Sequence, residues 1–394
     1  MKILAIGIGQ CGCNIADEFY AINNYAKSFL KGRIEILIDA FALNTDETDL
    51  GGLRHIPHDK RHRIIIGTMR TFGHGVGKIN VDAAKIMKQI EPAITDYVYT
   101  SKRFHESDAI IVMASGGGGT GSGAIGWLIK GLKERIDKPV YAIVVLPFGY
   151  EEQGDTSFAT SNTATCIKMV NKYADAMFLF DNNRFGRADV SLSANFRKIN
   201  QAMVMNFYDL FCAGEEKRQK YIGNKVVDAG DIKQSLEGVS VIGRGLVDGS
   251  TFLRLRKNHY REAVKETVGV AGAMNLAVNN LSLKVDMVDA RRILALICAP
   301  KDIINLTALE EISTFLQDNS PESVVRIGDY PQGSREISLT LILSQLTNVA
   351  RTEQIFLRAG HTFTRKQEID EDTIRRLRKM IEPSEALPDL EHVA

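Results

Sequence analysis

Short β-branched runs alternate with stretches of helical period through the first half of the chain, and this alternation restricts the fold more than any other feature. The runs fall at residues 2–6, 34–39, 63–66, 108–114, 139–146 and 175–180. The clearest helical stretch between them is GAIGWLIKGLKERI, where Ile125, Leu128, Ile129, Leu132 and Ile136 share one face. Strands that alternate with helices predict an α/β fold with a parallel, doubly wound sheet covered on both sides. In such sheets ligands bind beyond the carboxyl ends of the strands.

Three glycine clusters follow candidate strands or lie between them. The first is Gly7-Ile-Gly9-Gln-Cys-Gly12, which opens a helix directly after the first strand. It matches the pattern G-x-G-x-x-G, and Asp39 closes the second candidate strand, where an acid would hold a ribose hydroxyl. Alone, this motif points to a nicotinamide-dependent oxidoreductase. The second cluster, ASGGGGTGSGA at 114–124, packs six glycines into eleven positions. The third is Gly73-His-Gly75-Val-Gly77-Lys78. Each is either a tight turn or a backbone cradle for an anion at a helix N-terminus. Four successive glycines exceed what a turn needs, and three loops at one mouth suit a ligand with several phosphates. Thr120 and Ser122 add hydroxyl donors. No G-x-x-x-x-G-K-[ST] occurs, so phosphate charge must be met by backbone dipoles and a bound Mg²⁺.

The run Gly117-Gly118-Gly119-Thr120-Gly121-Ser122-Gly123 resembles the signature GGGTG[ST]G of the tubulin/FtsZ superfamily. The first loop, with Gly9, Gln10, Cys11 and Gly12 running on to Cys13 and Asn14, is similar to that family's first nucleotide loop. Asn44-Thr-Asp46 resembles its NTD, and Gly73, Gly75 and Gly77 its loop facing the γ-phosphate. The resemblance implies a Rossmann-like parallel-sheet GTPase domain, a long central helix and a second, smaller α/β domain. It implies GTP or GDP with Mg²⁺ as the ligand, with no metal cage built from the protein alone. Pro147-Phe148 with Glu151 resembles PFxxE, whose acid contacts the ribose; Asp155 stands where FtsZ carries an arginine. Asn182 and Asn200 match the asparagines that read guanine, and Phe196 the aromatic that stacks on it. Phe196 and Asn200 share a helix face by their spacing.

Nothing in the first domain resembles a group poised for water attack. In the family the acids come from the next subunit through NxDxx[DE], matched here by Val226-Val-Asp228-Ala-Gly-Asp231, with Val226 in place of the Asn. By this resemblance Asp231 positions the water and Asp228 assists, both acting in trans. The bare reading of DAGD is a helix N-cap with an acidic first turn. A site completed by a neighbour implies a head-to-tail homopolymer. The expected activity is assembly-dependent GTP hydrolysis in a cytoskeletal protein. The alternatives are an FtsZ-type division protein, a weakly hydrolysing scaffold and, remotely, the oxidoreductase.

The expected boundaries are 1–193 for the GTP-binding domain, 194–214 for the central helix, 215–365 for the C-terminal polymerisation domain and 366–394 for a terminal helix and tail. The segment VSVIGRGLVDGS reads as a loop, and RRILALICAP and ISLTLILSQL as apolar runs of a second α/β unit beginning near Asn224. EDTIRRLRKMIE at 371–382 reads as a helix docked on the second domain, with Ile374, Leu377 and Ile381 on one side and Arg375, Arg376, Arg378 and Lys379 solvated. Contact of that basic face with a membrane or a partner is the other reading, and a membrane adaptor or a tail-binding protein is the further partner class. The short tail and the GQCG loop most resemble the archaeal CetZ group, associated with cell shape.

Composition excludes some classes. Lys plus Arg number 49 against 48 acids, so no global field favours nucleic acid. No apolar run reaches membrane-spanning length and the N-terminus lacks a secretory pattern, so the expected location is the cytoplasm. The five cysteines suit no disulfide framework. Cys11 and Cys13 read as small packing residues rather than redox sensors. His55, His58 and His62 lie in a polar segment without the scaffold a metal site needs.

Overall fold

In a computed structural model that describes residues 1–28, 33–153, 158–186, 191–248 and 259–381, the apolar runs of the first half become parallel strands. These are β1 (Ile3–Ile8), β2 (Leu37–Asn44), β3 (Arg63–Ile65), β4 (Ala109–Ser115), β5 (Val140–Leu146) and β6 (Ala176–Asp181). The helices among and after them are α1 (Gly9–Ala26), α2 (Glu47–Gly51), α3 (Thr68–Thr71), α4 (Asn80–Tyr99), α5 (Thr120–Arg135), α6 (Phe158–Tyr173), α7 (Asn182–Phe185) and α8 (Leu192–Ala213). The second half adds α9 (Ala229–Ser235), β7 (Gly238–Asp248), α10 (His259–Asn279), β8 (Arg292–Ala299), α11 (Leu306–Asn319), β9 (Val324–Pro331), β10 (Glu336–Leu346) and α12 (Ala350–Ile381).

All ten strands join one sheet in the order β3-β2-β1-β4-β5-β6-β7-β10-β8-β9. The halves meet where β6 pairs in parallel with β7, through Ala176–Gly238, Met177–Val239 and Phe178–Ser240. Beyond that seam β10 runs antiparallel to both β7 and β8. One apolar core lies under α4, α5 and α6 and continues beneath α10, α11 and the start of α12. The other lies under α1, α8 and α9. The central strands are therefore covered on both faces, as their unbroken apolar runs require.

Two expectations about the second half need correction, and in the first half the second strand runs from Leu37 to Asn44 rather than over 34–39. The segment read as a loop at 239–250 is strand β7 through Asp248, and residues 249 and 250 lie outside the described residues. Its glycines are the reason for the misreading. A Cβ on Gly243 would lie 2.2 Å from the Ala277 carbonyl oxygen, and one on Gly245 1.9 Å from that of Ala273. Bare backbone in this strand lets α10 pack directly on it. Residues 371–381 are the end of α12, not a separate helix, and α12 packs on α6 of the first half, while residue 382 lies outside the described residues. Among residues 365–381 only the side chain of Arg376, which is exposed, is described. Among the described residues no helix is long and apolar enough to cross a membrane.

Candidate functional site

Strand order reverses between β1 and β4, since β2 and β3 lie to one side and β5 and β6 to the other. A cleft opens at such a switch point, and the first two glycine clusters follow the two strands that flank it. Their glycines bring the loops together. A Cβ on Gly12 would lie 2.1 Å from the Met113 carbonyl oxygen, and one on Gly121 2.9 Å from that of Ile8. Gly9 adopts a φ of +71° and faces the Gly121 nitrogen. Across the cleft Thr45 Oγ1 meets Thr120 Oγ1 at 2.7 Å.

The third cluster covers the same mouth. The Glu47 N–H donates to the Gly73 carbonyl (3.1 Å) and the Gly75 N–H to that of Thr45 (3.0 Å). A Cβ on Gly119 would lie 2.8 Å from Lys78 Cα. The glycines thus have different tasks. Gly12, Gly119, Gly121 and Gly123 are packing contacts, whereas nothing lies within 4 Å of a Cβ on Gly118 or Gly77. Gly118 stands half-buried just ahead of α5, so its backbone is open to an anion at the helix's positive end.

Side chains around the mouth are already tied to one another. The Asn44 amide donates to Asp49 Oδ2 (2.9 Å) and that of Gln10 to Asp49 Oδ1 (3.0 Å). Burial is the main force pushing the Asp49 carboxyl above the ordinary carboxylate range. Asp46 caps α2 by accepting the N–H groups of Thr48 and Asp49. The Ser122 hydroxyl donates back to the Gly118 carbonyl, so it is spent inside the turn rather than offered to a ligand. Cys13 is fully buried, with Sγ on the carbonyls of Gly7 (3.5 Å) and Leu43 (3.4 Å), which makes it a packing residue beneath the loop. Burial also lifts the Cys11 thiol to about 12. Asn14 is half-buried in the first turns of α1.

Next along the sheet, the turn after β5 carries Glu151, whose Oε2 accepts the Phe148 N–H at 2.9 Å. Phe148 stacks on Tyr150 (5.4 Å, 17°) and meets Phe196 of α8 (5.9 Å, 60°). Tyr150 was missed by sequence reasoning, and Phe148 was recognised only as part of PFxxE and not for its ring contacts, although PFGY places both beside the recognised acid. Asn182 begins α7 at the end of β6, and Asn200 lies in α8; both are about 7% exposed. Asp155 lies outside the described residues.

Asp39 is not at this mouth. It pairs in register with Leu4, near the start of β1, and faces His62 (3.2 Å) and Arg61 (3.6 Å). The second strand begins at Leu37 and ends at Asn44, so Asp39 lies at the wrong end to hold a ribose and the dinucleotide reading loses its acid. Among the described residues no group of three or more His, Cys, Asp or Glu could hold a metal.

Asp228 and Asp231 are also remote from the glycine loops. Asp228 caps α9 by accepting the Asp231 N–H (2.9 Å), and the Asp231 carboxylate accepts the Asp228 N–H in return (3.4 Å). Arg326 of β9 pairs with Asp231 through Nη1 and with Gln234 through Nη2. A Cβ on Gly214 would lie 3.5 Å from both Asp228 Cα and the Met1 nitrogen. These acids therefore sit at the amino end of β1, and Gly9 at its carboxyl end. At about 3.3 Å per residue the intervening strand separates them by roughly 25 Å.

Comparison with known proteins extends this geometry to a family. Residues 2–188 match the family model described as the Tubulin/FtsZ family, GTPase domain, and residues 189–361 that of the tubulin-like CetZ C-terminal domain. The chain is 30% identical to the tubulin-like protein CetZ1 of Haloferax volcanii over 371 residues, covering 90% of this chain and 91% of that one. Among solved structures it resembles the GDP-bound CetZ1 monomer from the same organism, with a TM-score of 0.77, 29% identity, and 91% and 98% of the two chains covered. It is likewise similar to a GTPγS-bound CetZ2 protofilament from Haloferax volcanii, with a TM-score of 0.78, 26% identity, and 93% and 100% covered.

Proposed function

Since this chain belongs to the tubulin/FtsZ family as a CetZ-like member, we propose that it is a GTPase that polymerises head to tail and completes each hydrolytic site with the acidic loop of the next subunit. The observation that carries this reading is the roughly 25 Å of β1 between the two halves of the chemistry, too far for one molecule to span. A second copy stacked on the cleft brings its own amino-end face, with Asp228 and Asp231, over the first copy's glycine loops. Repetition of that heterologous contact builds an open filament. The similarity to a GTPγS-bound protofilament supports the same arrangement.

The roles follow from the placement. Backbone N–H groups at Gly118 and Thr120, together with the first loop, bind the phosphates where the dipole of α5 favours negative charge. Phe196 stacks on the base and the amides of Asn182 and Asn200 read its edge, since an amide offers the paired donor and acceptor that guanine requires. Glu151 holds the ribose. Mg²⁺ would be held mainly by phosphate oxygens, with Asp46, whose Oδ2 lies 3.8 Å from where a Cβ on Gly75 would stand, as the acid beside the third glycine loop, and it would supply positive charge against the leaving diphosphate. Asp231 orients a water whose oxygen attacks the γ-phosphorus as the bond to the β–γ bridging oxygen breaks. The boundaries 1–193, 194–214, 215–365 and 366–394, a cytoplasmic site of action and a role in cell shape complete the proposal.

The test is phosphate release from GTP against protein concentration. Release that rises faster than linearly supports a site shared between subunits; strict proportionality down to the most dilute sample refutes it. A second reading, a scaffold with slow turnover, is favoured by one observation: Asp231 is already engaged by Arg326 and by the capping box. Light scattering with GTP and with a non-hydrolysable analogue separates the two, because a scaffold forms equally stable polymers with either nucleotide.

A further inference from the structure

Behind the turn after β5 lies a buried carboxylate with no part in the scheme above. Glu152 is 7% exposed and follows directly on Glu151. Arg351 of α12 grips it with both ends of its guanidinium, Nη1 to Oε2 at 3.0 Å and Nη2 to Oε1 at 2.5 Å. The same Nη2 reaches the Pro147 carbonyl at 3.4 Å, and Nε faces Asp181 Oδ2 at 3.5 Å. Arg358 adds a second cation to Glu152 at 3.1 Å. Asp181 also caps α7 through the Asn183 N–H, and Asn183 Oδ1 accepts the Gly149 N–H at 3.0 Å. One arginine therefore hydrogen-bonds the 147–152 turn and pairs by charge with the Asp181–Asn182 corner, the two segments that flank the base and ribose side of the cleft.

Its place in α12 is costly for the helix itself. A cation in a first turn opposes the helix dipole, so the site is explained by the acceptors it meets rather than by α12. We propose that Arg351 is a positioning residue for the ribose and base side of the nucleotide cleft, through which the long C-terminal helix sets how tightly the nucleoside is held. This rests on the nucleotide reading above and adds a residue that no motif in the sequence marks. A bidentate fork fixes orientation as well as charge, which is why lysine is an incomplete substitute.

The experiment compares full-length wild type, Arg351→Met and Arg351→Lys by titration calorimetry with GDP, GTP and inorganic tripolyphosphate. Arg351→Met should weaken GTP and GDP binding by about tenfold, in the range of coupling between linked sites, and leave tripolyphosphate binding unchanged. Arg351→Lys should fall between wild type and Arg351→Met, and it carries the test alone if the methionine variant does not fold. Equal loss for tripolyphosphate would mean that the contact merely supports the fold, and unchanged GDP binding would mean that the clamp positions nothing; either overturns the proposal. Wild type that binds tripolyphosphate but neither nucleotide would remove the nucleotide reading and this proposal with it, a result distinct from a defect confined to the variants.

Discussion

A single carboxylate at Gly118 should abolish nucleotide binding while leaving the fold intact. Nothing lies within 4 Å of a Cβ at this position, and its φ is not in the left-handed region, so Gly118→Asp meets neither clash nor strain. Apo stability should stay within about 0.5 kcal/mol of wild type, as for other open positions. For a new charge about 5 Å from a bound phosphate, with an effective dielectric of about 20, the repulsion is about 3 kcal/mol for each phosphate charge. That is roughly a hundredfold in Kd from one such charge, reduced by added salt. Gly12→Ala is the contrasting control, because its methyl would meet the Met113 carbonyl oxygen at 2.1 Å; it should destabilise the apo protein by about 1–3 kcal/mol through overpacking. Calorimetric titration with GTP and thermal melts of the apo proteins measure both quantities. Wild-type affinity in Gly118→Asp would refute the placement of phosphate at this loop, and a large loss of apo stability would refute the account of Gly118 as open backbone.

Asp231→Asn should eliminate phosphate release while GDP affinity stays at the wild-type value, and its amide oxygen can still accept the Asp228 N–H of the capping box. Stability should change by less than about 1 kcal/mol, so an inactive variant that melts with wild type separates chemistry from capping. Away from the site, hydrogen bonds from Arg103 are the main cause that holds the Glu35 carboxyl down at about 2, against an ordinary value of 4.5. A depressed carboxylate contributes stability above the ordinary value and loses it as pH falls toward the depressed one. Melts of wild type and Glu35→Gln should therefore differ above pH 4.5 and converge as pH falls toward 2.

The first half of the fold was legible because its parallel strands, buried on both faces, read as apolar runs, and the loops at its switch point as glycine clusters. The second strand was placed early because Asp39 looks like a terminus. It lies inside the strand, where Ala40, Phe41, Ala42 and Leu43 continue the buried run and its carboxylate turns to Arg61 and His62. β7 was hidden by Gly243 and Gly245, which signal a loop locally but serve packing on Ala277 and Ala273 of a helix about thirty residues further along the chain. The clamp on Glu152 was out of reach for a related reason, since an ion pair between positions 152 and 351 leaves no periodic trace. The acids were found by resemblance, but their tether to Arg326 and their place at the amino end of β1 come only from the tertiary structure. That placement is what turns a motif into an argument about two molecules.

Complementation between two inactive variants tests the shared site most directly. Gly118→Asp keeps its acidic loop but cannot hold nucleotide, and Asp231→Ala holds nucleotide but lacks the acid. Mixed with GTP and Mg²⁺, the two should release phosphate although neither does alone, because the acid of one chain meets the nucleotide of the other. A mixture that co-assembles and stays silent, or an Asp231→Ala protein that hydrolyses GTP at the wild-type rate by itself, would contradict the account.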